Sequence, residues 1–294
     1  MAMKLSSNSI CRKDEPLARR TTLRVGGRAD FYVEPSSEPD LSEVVRFCAQ
    51  EKLPFIILGR GSNLLIRDGG IRGVVISLGH AGFSKIEIAG ERLHCGAGAK
   101  LKNVAVEARR HSLAGLEFLE GIPGSVGGAL RMNAGAMGAA TFELVESVRF
   151  MDSAGVAGER PVAEFPIGYR SCTFFKNHIA LGAVFRGRTA ASDEIVARMN
   201  SFNKKRWQSQ PAQPSAGCIF KNPQSIPAGK LIDELGLKGT RVGEAVVSDV
   251  HGNFIVNEGG ATARDVLELI QLIKNRAKAE RGIDLETEVE IIGE

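Results

Sequence analysis

The segment GLEFLEGIPGSVGGALRMNAGAMG, residues 115–138, constrains this chain more than any other stretch. Seven of its residues are glycine and few are charged. Such a run cannot bury a side-chain core of its own. It can bring backbone amides close to a pyrophosphate and a flat ring system, because glycine places no Cβ in the way. A second glycine loop, LGRGSNLLIRDGG (58–70), follows an apolar run. There Gly59, Gly61, Ser62 and Asn63 can present N–H groups to a phosphate, although an ordinary left-handed turn explains the same residues. Its GxG lacks the third glycine of the dinucleotide fingerprint and no helical pattern follows, which argues against a Rossmann unit.

Around these loops, apolar periodicity predicts helices over 41–53, 100–113, 191–207, 228–237 and 262–282, with Ser192 as a cap and Gly282 as a stop. Strands are predicted at 54–59, 74–78, 178–187 and 286–294, and hairpins at 86–98, 147–162 and 243–257. Helices and strands intermix, so the class is α+β. The chain has 294 residues, 43% of them apolar, enough for more than one domain. A boundary is expected after Thr189, where glycine density drops and a helix begins.

A net charge of +4 suits a small anionic ligand. It is too small and too evenly spread for nucleic acid, and aromatic residues are too few for a base-stacking platform. The five cysteines, Cys11, Cys48, Cys95, Cys172 and Cys218, show neither metal-ligand nor CxxC spacing. They read as free thiols in a reducing cytoplasm, with no metal site. The N-terminus lacks a signal-peptide core, and no run reaches the roughly 18 apolar residues of a membrane span.

Three short stretches carry the remaining chemistry. PSAGCIFKNP (214–223) sets one thiol, Cys218, behind the small residues Ser215, Ala216 and Gly217, with Lys221 and Asn222 following. GYRSC (168–172) offers Arg170, whose guanidinium fork matches a carboxylate. LETEVEIIG (285–293) places Glu286, Glu288 and Glu290 on one face of an alternating strand, where like charges repel and one of them needs a special environment. The plain alternatives are a buried structural cysteine, a surface arginine in a turn and a solvated edge strand.

Together with TTLRVGGRADFYVEP (21–35), these motifs occur in the order found in the UDP-N-acetylenolpyruvoylglucosamine reductase family, and the chain resembles its shorter subtype from about residue 20 onward. The resemblance implies a vanillyl-alcohol-oxidase (PCMH)-type FAD-binding fold followed by a smaller α+β substrate domain. The implied divisions are two FAD-binding subdomains, 1–80 and 81–189, and a C-terminal domain, 190–294. It implies non-covalent FAD held by Gly59, Arg60, Gly61, Ser62, Asn63, Gly121, Ile122, Pro123, Gly124, Ser125, Gly127, Gly128, Asn133, Ala134 and Gly135. It further implies NADPH as co-substrate and a UDP-sugar substrate contacted by Tyr169, Lys221 and Asn222, with His251 a further candidate. The implied enzyme is a cytoplasmic monomer of peptidoglycan precursor synthesis.

In the family reaction an enolpyruvyl ether becomes a lactyl ether. Hydride reaches the terminal carbon, charge flows toward the carboxylate, and a proton must arrive at the neighbouring carbon. The resemblance gives Arg170 the developing charge and Glu288 the role of acid partner. Cys218 stands where family members most often carry the proton-donating serine. A thiol, with a pKa of about 8.5 when free, is the stronger acid. Ser171 and Cys172 are rival donors by position. Two other readings stay open at this point: an oxidase on the same fold, and a flavin- or nucleotide-sugar-binding protein without activity.

Overall fold

The computed structural model describes residues 3–294. The chain divides into two compact units, each assembled from separated segments. The first takes the chain up to Lys13, then Phe31–Arg60 and Gly73–Lys204; the second takes Asp14–Asp30, Gly61–Arg72 and Lys205–Glu294.

In the first unit, helix α1 (Glu38–Gln50) starts at Ser37, whose side chain accepts from the Asp40 N–H, and has proline in its first turn. Leu41, Val44, Val45 and Cys48 recur at helical spacing and pack on Val33, Val74 and Ile76. Strand Phe55–Leu58 runs parallel to Ile71–Ser77, with Phe55 opposite Val74. This pairing directs the end of the strand, and therefore Gly59, toward the glycine segment. A second sheet has five strands in the order Ala157–Pro161, Val145–Met151, Ile179–Arg186, Arg92–Gly96 and Ile86–Ala89. Every pairing in it is antiparallel. Helices α2 (Leu101–Arg110) and α3 (Val126–Met132) bury Leu101, Val104, Ala105, Ala108, Val126, Ala129 and Leu130 in one cluster with Leu93, Val148 and Phe185 from this sheet. Helix α4 (Ser192–Ser209) adds Ile195 and Met199 to that cluster.

In the second unit, strands Ser215–Cys218, Phe254–Asn257, Ala245–Val247 and Arg241–Val242 lie in that order. Helices α5 (Ala228–Glu234) and α6 (Ala263–Arg281) supply Leu231, Ile232, Val266, Leu269 and Ile273 to a core shared with Val247 and Ile255. A capping box between Thr262 and Asp265 opens α6, and Gly282 closes it at φ +65°. A parallel pair, Leu64–Ile66 with Glu290–Ile292, completes the unit.

The α+β class and most predicted elements are observed. Three local expectations change. Ser192 is the first residue of α4 rather than a cap outside it. The glycine segment contains a helix, α3, where only turns were expected. The C-terminal strand begins at Glu290 rather than Glu286, because the N–H groups of Glu288 and Val289 both converge on the Ile219 carbonyl, at 2.8 and 3.3 Å, and break the regular ladder. No helix among the described residues is long and apolar enough to cross a membrane.

Candidate active site

In the first unit the glycine segment is fastened at the start of α3. Val126 N–H donates to the Ala99 carbonyl (2.9 Å), Gly127 N–H to that of Ala97 (2.8 Å), and Leu101 N–H to that of Gly124 (3.1 Å). A Cβ on Gly127 would lie 3.1 Å from the Ala97 Cβ, so its own packing favours glycine. A Cβ on Gly59 would lie 3.0 Å from Ser125 Oγ, so glycine there lets the strand end approach the buried Ser125. Before α3, Gly121 ends a short 3-10 turn and Ile122 N–H closes on the Leu119 carbonyl (3.2 Å), which leaves Pro123 exposed.

Gly128 differs from its neighbour. It is exposed, and a Cβ there would meet only Ser125 Oγ, at an ordinary 3.6 Å. Glycine inside a helix costs about 1 kcal/mol relative to alanine, and the fold supplies no reason for it. The expected FAD, lying against α3, would supply one. Gly128→Ala is therefore expected to leave the apoprotein as stable or up to about 1 kcal/mol more stable. It should weaken FAD binding by about 1–3 kcal/mol, the scale of an overpacked methyl. Thermal melts of the apoprotein and a flavin fluorescence titration check the two halves, and unchanged FAD affinity would remove this explanation of Gly128.

After α3 the chain turns at Asn133, which has φ +45°. Its Nδ2 donates to the Gly168 carbonyl (3.1 Å) and its Oδ1 accepts from Phe142 N–H (3.2 Å). The Ala134 carbonyl accepts the Thr141 hydroxyl at 2.6 Å. Gly168 belongs to a small hairpin in which Ile167 faces Cys172 and Gly168 faces Ser171, so Tyr169 and Arg170 form its tip. Arg170 has φ +52°, a left-handed conformation that costs a non-glycine residue roughly 1–2 kcal/mol. Its Nη2 donates to the Gly135 carbonyl (3.2 Å), and its guanidinium lies 5.1 Å from the centre of the exposed Tyr169 ring. Five expected site residues, Asn133, Ala134, Gly135, Tyr169 and Arg170, are thus tied together in one unit.

The rest of the first glycine loop belongs to the second unit. Gly61 is buried at φ +62°, where a Cβ would strike the Arg20 carbonyl at 2.4 Å. No backbone carbonyl among the described residues accepts the N–H of Gly61 or Ser62. Unpaired amides beside a glycine suit a phosphate. The glycine motif of this unit therefore fits a phosphate of the expected FAD.

Cys218 ends its strand opposite Phe254, after a register shift over Gly217 at φ +76°. It is half-buried and unbridged. The next residue, Ile219, accepts from Glu288 N–H at 2.8 Å. Asn63 holds the same glutamate segment from the side: its Nδ2 donates to the Glu288 carbonyl and its own carbonyl accepts from Glu290 N–H, each at 3.0 Å. Lys221 forms an ion pair with the exposed Glu286. Asn222 Oδ1 accepts from Ala228 N–H (3.0 Å) at the start of α5, a bond in which its Nδ2 takes no part. The second unit thus gathers Asn63, Cys218, Lys221 and Glu288.

The other thiols stand apart. Burial pushes Cys48 up to about 11 and Cys95 up to about 12, and raises Cys172, which is 2% exposed. His251 is held below the ordinary histidine range, first by burial, and its Nδ1 accepts from Asn253 N–H (3.1 Å). That bond turns His251 toward the fold. Asn253, fully buried, has no motif to mark it; the one signal in the sequence is an amide standing directly before the apolar run FIV.

A model of the FAD binding domain matches residues 29–157, and a model of the UDP-N-acetylenolpyruvoylglucosamine reductase C-terminal domain matches residues 210–292. UDP-N-acetylenolpyruvoylglucosamine reductase of Geobacter metallireducens is 46% identical over 96% of this chain and 94% of its own length. The enzyme of that name from Clostridium botulinum strain 657 is 42% identical over 96% of this chain and 92% of its own. The crystal structure of UDP-N-acetylenolpyruvylglucosamine reductase from Thermus caldophilus superposes with a TM-score of 0.85 at 37% identity, covering 97% of this chain and all of that one. The 6-hydroxy-D-nicotine oxidase of Arthrobacter nicotinovorans, 16% identical with a TM-score of 0.51 and 63% of its length covered, shares the fold alone. These matches bear out the expected fold class, an FAD-binding fold followed by a smaller C-terminal part. With near full-length relatives at more than 40% identity, the chain belongs to the UDP-N-acetylenolpyruvoylglucosamine reductase family.

Proposed function

We propose that this protein is an FAD-containing, NADPH-dependent reductase that converts UDP-N-acetyl-enolpyruvoylglucosamine to UDP-N-acetylmuramate in peptidoglycan precursor synthesis. The observation that carries the reading is identity of 42–46% to reductases of that name across 96% of the chain. The chemistry FAD supplies when bound is hydride transfer, from NADPH to the terminal carbon of the enolpyruvyl group. Its holders are Gly59 to Asn63, Gly121 to Ser125, Gly127, Gly128 and Asn133 to Gly135.

The chain's own residues then have three tasks: hold the substrate carboxylate, stabilise the charge that flows onto it, and protonate the neighbouring carbon. Arg170, fixed at a hairpin tip, offers a fork of donors to the carboxylate. Cys218 donates the proton. Its half-buried position favours it over Cys172, which is buried and whose thiol is raised by that burial. Glu288, with its backbone held by Asn63 and Ile219, hydrogen-bonds the enediolate. Lys221 serves the diphosphate as a point charge, the Asn222 amide nitrogen and Tyr169 contact the substrate, and the enzyme works as a cytoplasmic monomer.

An anaerobic assay tests the reading. A yellow holoprotein, with a band near roughly 450 nm from its oxidised flavin, should turn over NADPH only when the enolpyruvyl substrate is present. Flavin reduction by a sugar alone would point to an oxidase, and no reduction by either would leave a binding protein. Glu288→Gln is expected to slow reoxidation of the reduced enzyme by enolpyruvyl substrate about 10²-fold or more while leaving reduction by NADPH intact. The amide still donates a hydrogen bond but cannot share a proton. A wild-type rate in this variant, with loss in Glu290→Gln, would move the role to the other half-buried glutamate.

A further inference from the structure

The antiparallel ladder between Ser215–Cys218 and Phe254–Asn257 ends with Cys218 opposite Phe254. Asn253 extends it beyond that point. Ile219 N–H donates to the Asn253 backbone carbonyl at 2.9 Å. Phe220 N–H donates to Asn253 Oδ1 at 2.9 Å, and Asn253 Nδ2 donates to the Phe220 carbonyl at 2.8 Å. A carboxamide carries the same N–H and C=O as a peptide, so the side chain acts as one more rung. It is 2% exposed, and both its polar atoms are committed to Phe220.

The opposite edge of the same dipeptide carries the glutamate segment. Ile219 accepts from Glu288 N–H (2.8 Å), Phe220 bridges Thr287, and Lys221 N–H donates to the Glu286 carbonyl (2.9 Å). Ile219 and Phe220 therefore lie between Asn253 on one edge and residues 286–289 on the other, both side chains buried. Any slip of this dipeptide changes where Cys218 and Glu288 stand relative to each other. Asn253 is itself fixed, since its N–H donates to His251 Nδ1 at 3.1 Å.

We propose that Asn253 is a positioning residue for the proton-transfer half of the reaction, acting through the Ile219–Phe220 backbone on Cys218 and Glu288. This rests on the reading of Cys218 as donor and Glu288 as its partner. Protonation of the substrate carbon creates a stereocentre. A thiol aimed at one face gives one configuration. A displaced thiol leaves the carbanionic carbon to solvent from either side.

The test uses the FAD-loaded full chain and Asn253→Asp. That variant keeps the acceptor for Phe220 N–H, removes the donor and sets a carboxylate oxygen against the Phe220 carbonyl. Anaerobic stopped-flow should show flavin reduction by NADPH within about twofold of wild type and reoxidation by enolpyruvyl substrate slowed roughly tenfold to hundredfold, the scale of a small misplacement. The product should lose its single configuration at the new C–H centre. The rate at which iodoacetamide labels Cys218, followed by peptide mass spectrometry, should shift as well. Asn253→Ala, which removes both bonds without adding charge, takes over the measurement if the aspartate variant does not fold. Equal slowing of both half-reactions with configuration retained, or no change in either, would overturn the proposal. Cys218→Ala, run in parallel, separates the two ideas: normal turnover there sinks the donor assignment, whereas a configurationally pure product from slowed Asn253→Asp sinks the positioning role.

Discussion

Cys218→Ala is expected to bind flavin and accept hydride from NADPH, yet to lose about 10²–10⁴-fold in turnover, the usual contribution of a placed general acid. Cys218→Ser should stay active, because the resemblance implies a serine hydroxyl as the usual donor at this position and oxygen is smaller than the sulfur it replaces. The wild-type rate should fall at high pH as thiol becomes thiolate. The sign is fixed by the role, since a donor works only while protonated. In the serine variant this limb should move upward and out of the accessible range. Full activity in Cys218→Ala would send the search to Ser171 or a bound water.

The second large effect concerns Arg170. Arg170→Lys keeps the charge and loses the fork, so stabilisation of the enediolate should fall by about 2–4 kcal/mol, the scale of one lost oxyanion donor. The structure adds a reason. One arm of the guanidinium, Nη2, is already spent on the Gly135 carbonyl at 3.2 Å. Arginine's planar fork can reach a carboxylate and that carbonyl from separate nitrogens, whereas lysine's three donors all sit on one nitrogen and lose the bidentate geometry. Flavin reduction by NADPH should stay near wild type. Rapid-reaction measurements of both half-reactions decide the matter, and equal slowing of the two would count against the role.

What could be read from the sequence was local. Periodicity located α1, α2, α5 and α6, because each has an apolar stripe at helical spacing and, for α6, readable ends in Thr262 and Gly282. Helix α3 was hidden because two consecutive glycines oppose it. It forms because the Ala99 and Ala97 carbonyls accept its first N–H groups, a tertiary cause with no local trace. The parallel pairing of Leu64–Ile66 with Glu290–Ile292 joins segments more than 200 residues apart, and nothing in three apolar residues specifies such a partner. The motif residues were legible for the opposite reason. A glycine loop or a thiol between small residues is costly or reactive enough to need explaining. The three glutamates show both sides: repulsion among them demanded a special environment for one, and the Lys221–Glu286 ion pair is a relief no local rule could assign.

Asn222 sets a limit on how this enzyme can evolve. Its Oδ1 caps α5 through Ala228 N–H, while its Nδ2 faces the proposed substrate role. On the proposed role one side chain thus answers to two demands, and a replacement that lacks both the oxygen and the nitrogen fails both at once. A lineage drifting toward a different sugar cannot explore this position freely unless another residue first takes over the helix cap. Aspartate is one conservative exit, since it keeps the oxygen that accepts from Ala228 N–H and surrenders only the nitrogen.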